Sequence, residues 1–230
     1  MIKIVQILVL LLVTSSCSGQ NDLKEYYYPI GQKAEVHVYK YVDKVNPNNI
    51  EYWKVTTDPQ TRTILTESFT TDFRLYNIFE EQLDDEGAKV IGYTDFQINK
   101  DDSSTQIDGN VIDQNVYGWN GTNKYRYSVN YLDPSFGSMQ FVKERMQIGF
   151  ENITLFNTQY ETAIFKDEYE MKLLDTNENY EFYQYTYYGK NTGMVKYERF
   201  LPDGTSKQLE LEQIISEVEF EQLKEESVNN

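Results

Sequence analysis

The chain has 230 residues, a formal net charge of −16 and 20 tyrosines, but only one histidine and one cysteine. An apolar share of 40% and a charged share of 25% exclude wholesale disorder and fit one domain with a sizeable core. The acidity argues against nucleic acid and anionic lipid surfaces, both polyanions, and the lone Cys17 excludes an internal disulfide and zinc sites built on several thiolates.

At the N-terminus, Lys3 precedes an apolar run from Ile4 to Val13, interrupted only by Gln6. The run is too short for a membrane-spanning helix, which needs about 20 residues, and it fits the about 7–15 apolar residues of a secretory signal. The small residues Thr14-Ser15-Ser16 follow, then Cys17. This arrangement resembles the signal sequence of bacterial lipoproteins, in a form like that of the Bacteroidota. The resemblance implies that Cys17 becomes the first residue of the mature protein and carries a diacylglycerol thioether. Two or more acyl chains hold a protein firmly on a bilayer, where one binds only marginally. Ser18 after the cysteine, and the absence of a dense acidic cluster behind it, imply the outer membrane and a face toward the periplasm. The organisation expected is a signal peptide over 1–16, a polar tether over 17–24, a β domain over 25–226 and a tail over 227–230.

From Glu25 onward the dominant pattern has period two, with β-branched and aromatic residues between frequent turn signals. Ala34, Val36 and Val38 alternate with Glu35, His37 and Tyr39; after the turn at Asn46-Pro47-Asn48-Asn49, Ile50 to Thr57 form a second strand and Thr63 to Thr70 a third. Asp72 to Leu83 is ambiguous: it places Tyr76, Phe79 and Leu83 at helical spacing, compatible with one short helix. Ala88 to Ile98 and Tyr125 to Leu132 read as strands, and the polar stretch from Asn99 to Gly109 as a loop. Thr162 to Leu174, Tyr180 to Tyr188, Met194 to Leu201 and Ser206 to Ile215 are joined by links too short for parallel crossovers, so they form an antiparallel meander. From Ile214 to Leu223, helical spacing competes with a strand-like alternation of Val218 and Phe220 against glutamates. The fold class expected is mainly β: a single antiparallel meander, as a curved sheet or half-barrel, with at most one or two short helices. The stretch Tyr187-Tyr188, Gly193, Val195-Lys196 and the turn at Asp203-Gly204 resembles the ending of secreted β-sheet proteins, some similar to periplasmic lipoprotein carriers.

No motif names a reaction. A hydrolase elbow, a phosphate-binding glycine loop and a dinucleotide fingerprint are all missing. Asp175-Thr176-Asn177-Glu178-Asn179 begins like a calcium loop, but Tyr180 stands where glycine is needed and Thr186 where the closing glutamate belongs. His37 lies in a strand with no partner for catalysis or metal binding legible nearby. Neither cofactor, metal nor catalytic residue is therefore assigned. On Tyr180 to Tyr188, Tyr180, Phe182 and Tyr188 face one way while Tyr183, Tyr185 and Tyr187 face the other, a pattern made either by a second face partly covered by a helix, loop, ligand or partner or by a plain strand using tyrosine for cross-strand packing. The expected role is non-catalytic binding of a lipid, glycan or envelope protein on Tyr183, Tyr185, Tyr187, Trp53 and Trp119, with the bilayer held through acylated Cys17. Two alternatives stay open: a structural or assembly role without a small ligand, and a glycan hydrolase that uses two carboxylates.

Overall fold

The computed structural model describes residues 22–99, 101, 103–121 and 124–228. Cys17 and the signal segment lie outside the described residues. A 3₁₀ turn at Leu23–Tyr26 leads into the strands β1 (Glu35–Asp43), β2 (Ile50–Asp58), β3 (Thr63–Phe69), β4 (Leu75–Leu83), β5 (Gly87–Ile98), β6 (Ser104–Asp108) and β7 (Asn110–Gly118). They continue as β8 (Tyr125–Asp133), β9 (Gly137–Leu155), β10 (Thr158–Leu173), β11 (Glu178–Gly189), β12 (Gly193–Phe200) and β13 (Ser206–Ile215), and the helix α1 (Glu217–Val228) follows.

Neighbouring strands pair antiparallel around the sheet. β6 and β7 run consecutively along one edge of β5, with Thr94 opposite Asp108 and Gly87 opposite Gly118. Between them the amide of Gly109 donates to the Tyr93 carbonyl at 2.8 Å, so the two act as one strand broken at Gly109. β1 then pairs with β13, from Val38 opposite Ile215 to Asp43 opposite Leu209. The result is a closed antiparallel barrel of 12 strands, which corrects the expected curved sheet or half-barrel. A meander reads the same in sequence whether open or closed; closure removes the two unpaired edges, which is its physical gain.

Two ambiguous stretches are also resolved and one local expectation is corrected. Asp72 to Leu83 holds strand β4, because Glu81 shares the inward phase of Phe79 and Leu83 and thereby disguises a period-two pattern. The expected loop from Asn99 to Gly109 contains β6. From Ile214 onward the chain leaves β13 and turns into α1, whose Phe220 is fully buried against the outer barrel wall. Its ring lies 5.1 Å from that of Phe69 and 5.6 Å from those of Tyr52 and Phe73. Ser216-x-x-Glu219 has the form of a capping box, and the Glu219 amide donates to Ser216 Oγ at 3.2 Å. That signal was available in the sequence.

Along each strand, alternate residues enter the barrel. On β10, Ala163, Phe165, Asp167 and Tyr169 are buried; on β11, Gln184, Thr186 and Tyr188 are. The outward positions carry charged pairs such as Lys166–Glu168 (2.7 Å) and Arg126–Asp113 (3.0 Å).

Candidate functional site

One end of the barrel is closed by the chain's own N-terminal segment. Leu23, Tyr26, Tyr27 and Tyr28 are buried there, although residues up to 24 were expected in a tether. The Leu23 amide donates to the Trp119 carbonyl (2.9 Å), Tyr117 Oη donates to the Leu23 carbonyl (3.1 Å), and the Asn191 amide donates to the Glu25 carbonyl (2.6 Å). Tyr28 lies directly over Gly193, where the backbone has φ +95° and a Cβ would stand 2.3 Å from the ring. Glycine is needed there twice over, for the left-handed backbone and for the space. Tyr27 stacks among Tyr117, Tyr188 and Trp119, with ring centroids 4.5–5.7 Å apart.

Beneath this plug lies a partly open cavity of about 400 Å³. Its walls differ in chemistry. The wall made by β9 to β12 is built on a hydrogen-bonded chain that the strand register assembles. Arg145 faces Asp167 across β9 and β10, Asp167 faces Gln184 across β10 and β11, and Gln184 faces Arg199 across β11 and β12. Arg145 donates to both carboxylate oxygens of Asp167, from Nε at 2.7 Å and Nη2 at 2.8 Å, and from Nη1 to Tyr188 Oη at 2.9 Å. Thr186 Oγ1 donates to Asp167 at 2.7 Å, Gln184 Nε2 donates to Thr186 Oγ1, and Arg199 Nε donates to Gln184 Oε1 at 3.0 Å. Lys143 Nζ lies 3.0 Å from Asp167. Burial alone would raise the Asp167 carboxyl, but the charges of Arg145 and Lys143 outweigh it and hold the group well below the usual carboxylate range. Lys143 is pushed down, first by burial and then by the neighbouring Arg145.

The opposite wall is acidic and hydroxyl-rich. Glu51 accepts from Tyr76 Oη (2.8 Å) and Trp53 Nε1 (3.1 Å) and pairs with Lys207. Asp95 accepts from Asn77 Nδ2 (2.7 Å) and Tyr93 Oη (2.9 Å), and burial raises its carboxyl. Glu81 accepts from Tyr27 Oη directly under the plug. Burial pushes Glu81 up to about 7, against the opposing pull of the Tyr27 hydrogen bond and of Arg145 and Lys143.

The five aromatic residues expected to form a single platform do not meet. Trp53 lines the cavity, stacked with Tyr197 at 6.5 Å, while Trp119 sits at the plug with Nε1 donating to the Asp84 carbonyl. Tyr183, Tyr185 and Tyr187 lie on the outer wall. Tyr183, 39% exposed, stacks on Phe200 at 4.9 Å, and Lys196 lies over Tyr187 at 4.8 Å. The opposite pointing read from β11 is what the structure has, and it is that alternation which divides the set. His37 is half-exposed near the start of β1, on the phase of Tyr39 and Tyr41, and lies 3.5 Å from Glu35. Among the described residues, no group of three or more His, Cys, Asp or Glu could hold a metal ion. The charged lumen residues escaped the sequence reading, although Asp167 stands on the inward phase between Phe165 and Tyr169. A charge at an apolar phase was the available signal.

No family model matches the chain, and no curated protein matches its sequence. Two solved structures are similar to it. One is a candidate lipoprotein from Parabacteroides distasonis, at 15% identity and TM-score 0.48, covering 82% of this chain and 97% of that one. The other is a candidate exported protein with a YmcC-like fold from Bacteroides fragilis, at 11% identity and TM-score 0.51, covering 83% and 99%. The second likeness shows a shared fold.

Proposed function

We propose that this protein is a lipid-anchored, non-catalytic binding protein of the bacterial envelope, and that its site is the barrel lumen. The observation that carries the reading is the cavity of about 400 Å³, plugged at one end by Tyr27 and Tyr28 and lined by aromatic rings and paired charges. Its volume lies within the about 300–1,000 Å³ of small-molecule sites, and convergent polar groups on an apolar wall are their usual chemistry. The outward charged pairs differ from the apolar band of a membrane-spanning barrel, and among the described residues no helix is long and apolar enough to cross a membrane. Attachment through acylated Cys17 to the outer membrane, facing the periplasm, agrees with both. The name of the Bacteroides fragilis structure that shares the fold, an exported protein, supports an exported setting.

The test is native mass spectrometry of the full processed chain extracted from its own envelope. A co-purifying small molecule, lost in a variant with Trp53 replaced by Ala, is the expected result; a clean apo mass with no response of Trp53 fluorescence to envelope extracts would overturn it. Replacing Cys17 by Ser should abolish lipid labelling and leave the precursor unprocessed. One observation favours a second reading, the glycan hydrolase. Glu81 is buried in the cavity wall and accepts from Tyr27 Oη, and burial raises its carboxyl to about 7, the protonation a general acid needs. That reading requires glycan turnover that Glu81→Gln abolishes.

A further inference from the structure

The two walls of the lumen are not electrically balanced, and the imbalance has a location. On the β9–β12 wall three cations, Lys143, Arg145 and Arg199, face one carboxylate, Asp167. Asp167 is fully committed to Arg145, Lys143 and Thr186. Arg199 has no carboxylate within ion-pair distance among the described residues. Its Nε donates to Gln184, and its guanidinium is sandwiched near the rings of Tyr197 (5.2 Å), Phe182 (5.4 Å) and Tyr169 (5.7 Å). The Tyr169 hydroxyl also hydrogen-bonds the group, and Glu51 acts on its charge from beyond ion-pair distance. Rings cover the faces of the guanidinium, and the N–H donors left in its plane suit the two oxygens of a carboxylate.

The other wall limits what can accompany that carboxylate. Asp95, with no ion-pair partner among the described residues, disfavours a second negative charge, and both Asp95 and the Lys207-paired Glu51 accept hydrogen bonds from hydroxyl groups, those of Tyr93 and Tyr76. Around the cavity, Trp53, Phe79, Tyr127 and Phe141 offer apolar ring surface. An acyl chain in this lumen would cover Arg199, which lacks an ion-pair partner among the described residues, and give its N–H donors nothing in return, which disfavours the lipid among the expected ligands. From this arrangement we infer that the lumen takes a small ring compound with one carboxylate and several hydroxyls, a sugar acid, whose carboxylate is held by Arg199 and whose hydroxyls face Asp95 and Glu51. The inference rests on the lumen being the binding site and names the ligand class for it.

The experiment is titration of the full processed chain, followed by Trp53 fluorescence and calorimetry, with D-galacturonate, its neutral counterpart D-galactose, and benzoate as a carboxylate on a ring without hydroxyls. Galacturonate is expected to bind at least about tenfold more tightly than either, about the value of one charge-assisted pair. Arg199→Gln should erase the preference over galactose, and Arg199→Lys, which keeps the charge but loses the planar fork, should retain only part of it. Thermal melting of both variants establishes that they are folded. Galactose binding as tightly as galacturonate, benzoate binding more tightly, or a folded Arg199→Gln variant with the preference intact would each overturn the inference. A neutral or lipid molecule found by native mass spectrometry would also overturn it while leaving the lumen as a binding site; absence of binding by any of the three probes counts against the sugar-acid class.

Discussion

Replacing Asp167 by Ala removes the one carboxylate in a fully buried cluster. Arg145 loses two hydrogen bonds of 2.7 and 2.8 Å, Thr186 loses one of 2.7 Å, and Lys143 loses its partner at 3.0 Å. Removing one side of a buried ion pair costs roughly 3–5 kcal/mol, because the remaining charge is left without water or counter-charge. Two cations remain, but Lys143 already has a depressed proton affinity and can deprotonate. The loss should therefore be that of one stranded guanidinium, not twice that value. In urea unfolding followed by tryptophan fluorescence, with a slope of about 3 kcal/mol per molar, the midpoint should fall by about 1–2 M. Glu168 is the internal control. It is the next residue on the same strand, faces outward and pairs with Lys166 at 2.7 Å in solvent, so Glu168→Ala should cost at most about 1 kcal/mol. Replacing Arg145 by Met and Asp167 by Leu together should cost less than Asp167→Ala alone, since no guanidinium is stranded and Lys143, whose proton affinity is already depressed, can deprotonate. Equal midpoint shifts for Asp167→Ala and Glu168→Ala, or a loss below about 1 kcal/mol for the former, would refute the view that this cluster is a buried and fully committed network.

The remaining expectations concern the plug, the acid beneath it and the outer helix. Glu81 has a carboxyl raised from 4.5 to about 7 in the folded state, so the folded protein holds a proton that the unfolded chain releases. Its stabilising contribution is complete below pH 4.5 and is lost as pH rises through about 7, by an amount on the order of 3 kcal/mol. Glu81→Gln should flatten that part of the stability–pH curve and be more stable than the wild type at pH about 8; equal slopes for the two proteins would contradict it. Phe220→Ala should cost about 3–5 kcal/mol in thermal or urea unfolding, because the ring fills a pocket between α1 and the rings of Tyr52, Phe69 and Phe73. Gly193→Ala should destabilise by more than the about 1 kcal/mol of an ordinary glycine replacement and should raise hydrogen exchange in residues 23–28, since the new Cβ meets the Tyr28 ring.

Much of the strand content was legible because it depends on local alternation. On β1, β2, β3 and β10 to β13 the inward residues are mostly apolar or aromatic, so period two survives in the sequence. β9 and β4 were hidden for the opposite reason. Lys143 and Arg145 stand on the inward phase of β9, and Glu81 on that of β4, so the charges that build the lumen also erase the pattern that would have announced these strands. The site was therefore least legible where it is most chemical.

By itself the sequence determined that the chain is an antiparallel meander, that β11 carries aromatics on both faces, and that the first 17 residues have the form of a lipoprotein signal. These follow from local composition, from turn chemistry and from links too short for crossovers. Tertiary structure alone decided that the sheet closes through β1 and β13, that Tyr27 and Tyr28 plug one end, and which face of β11 looks into the lumen. Closure joins strands separated by almost the whole chain. The pairing of Arg145 with Asp167 and of Gln184 with Arg199 depends on register between strands, which no single strand encodes.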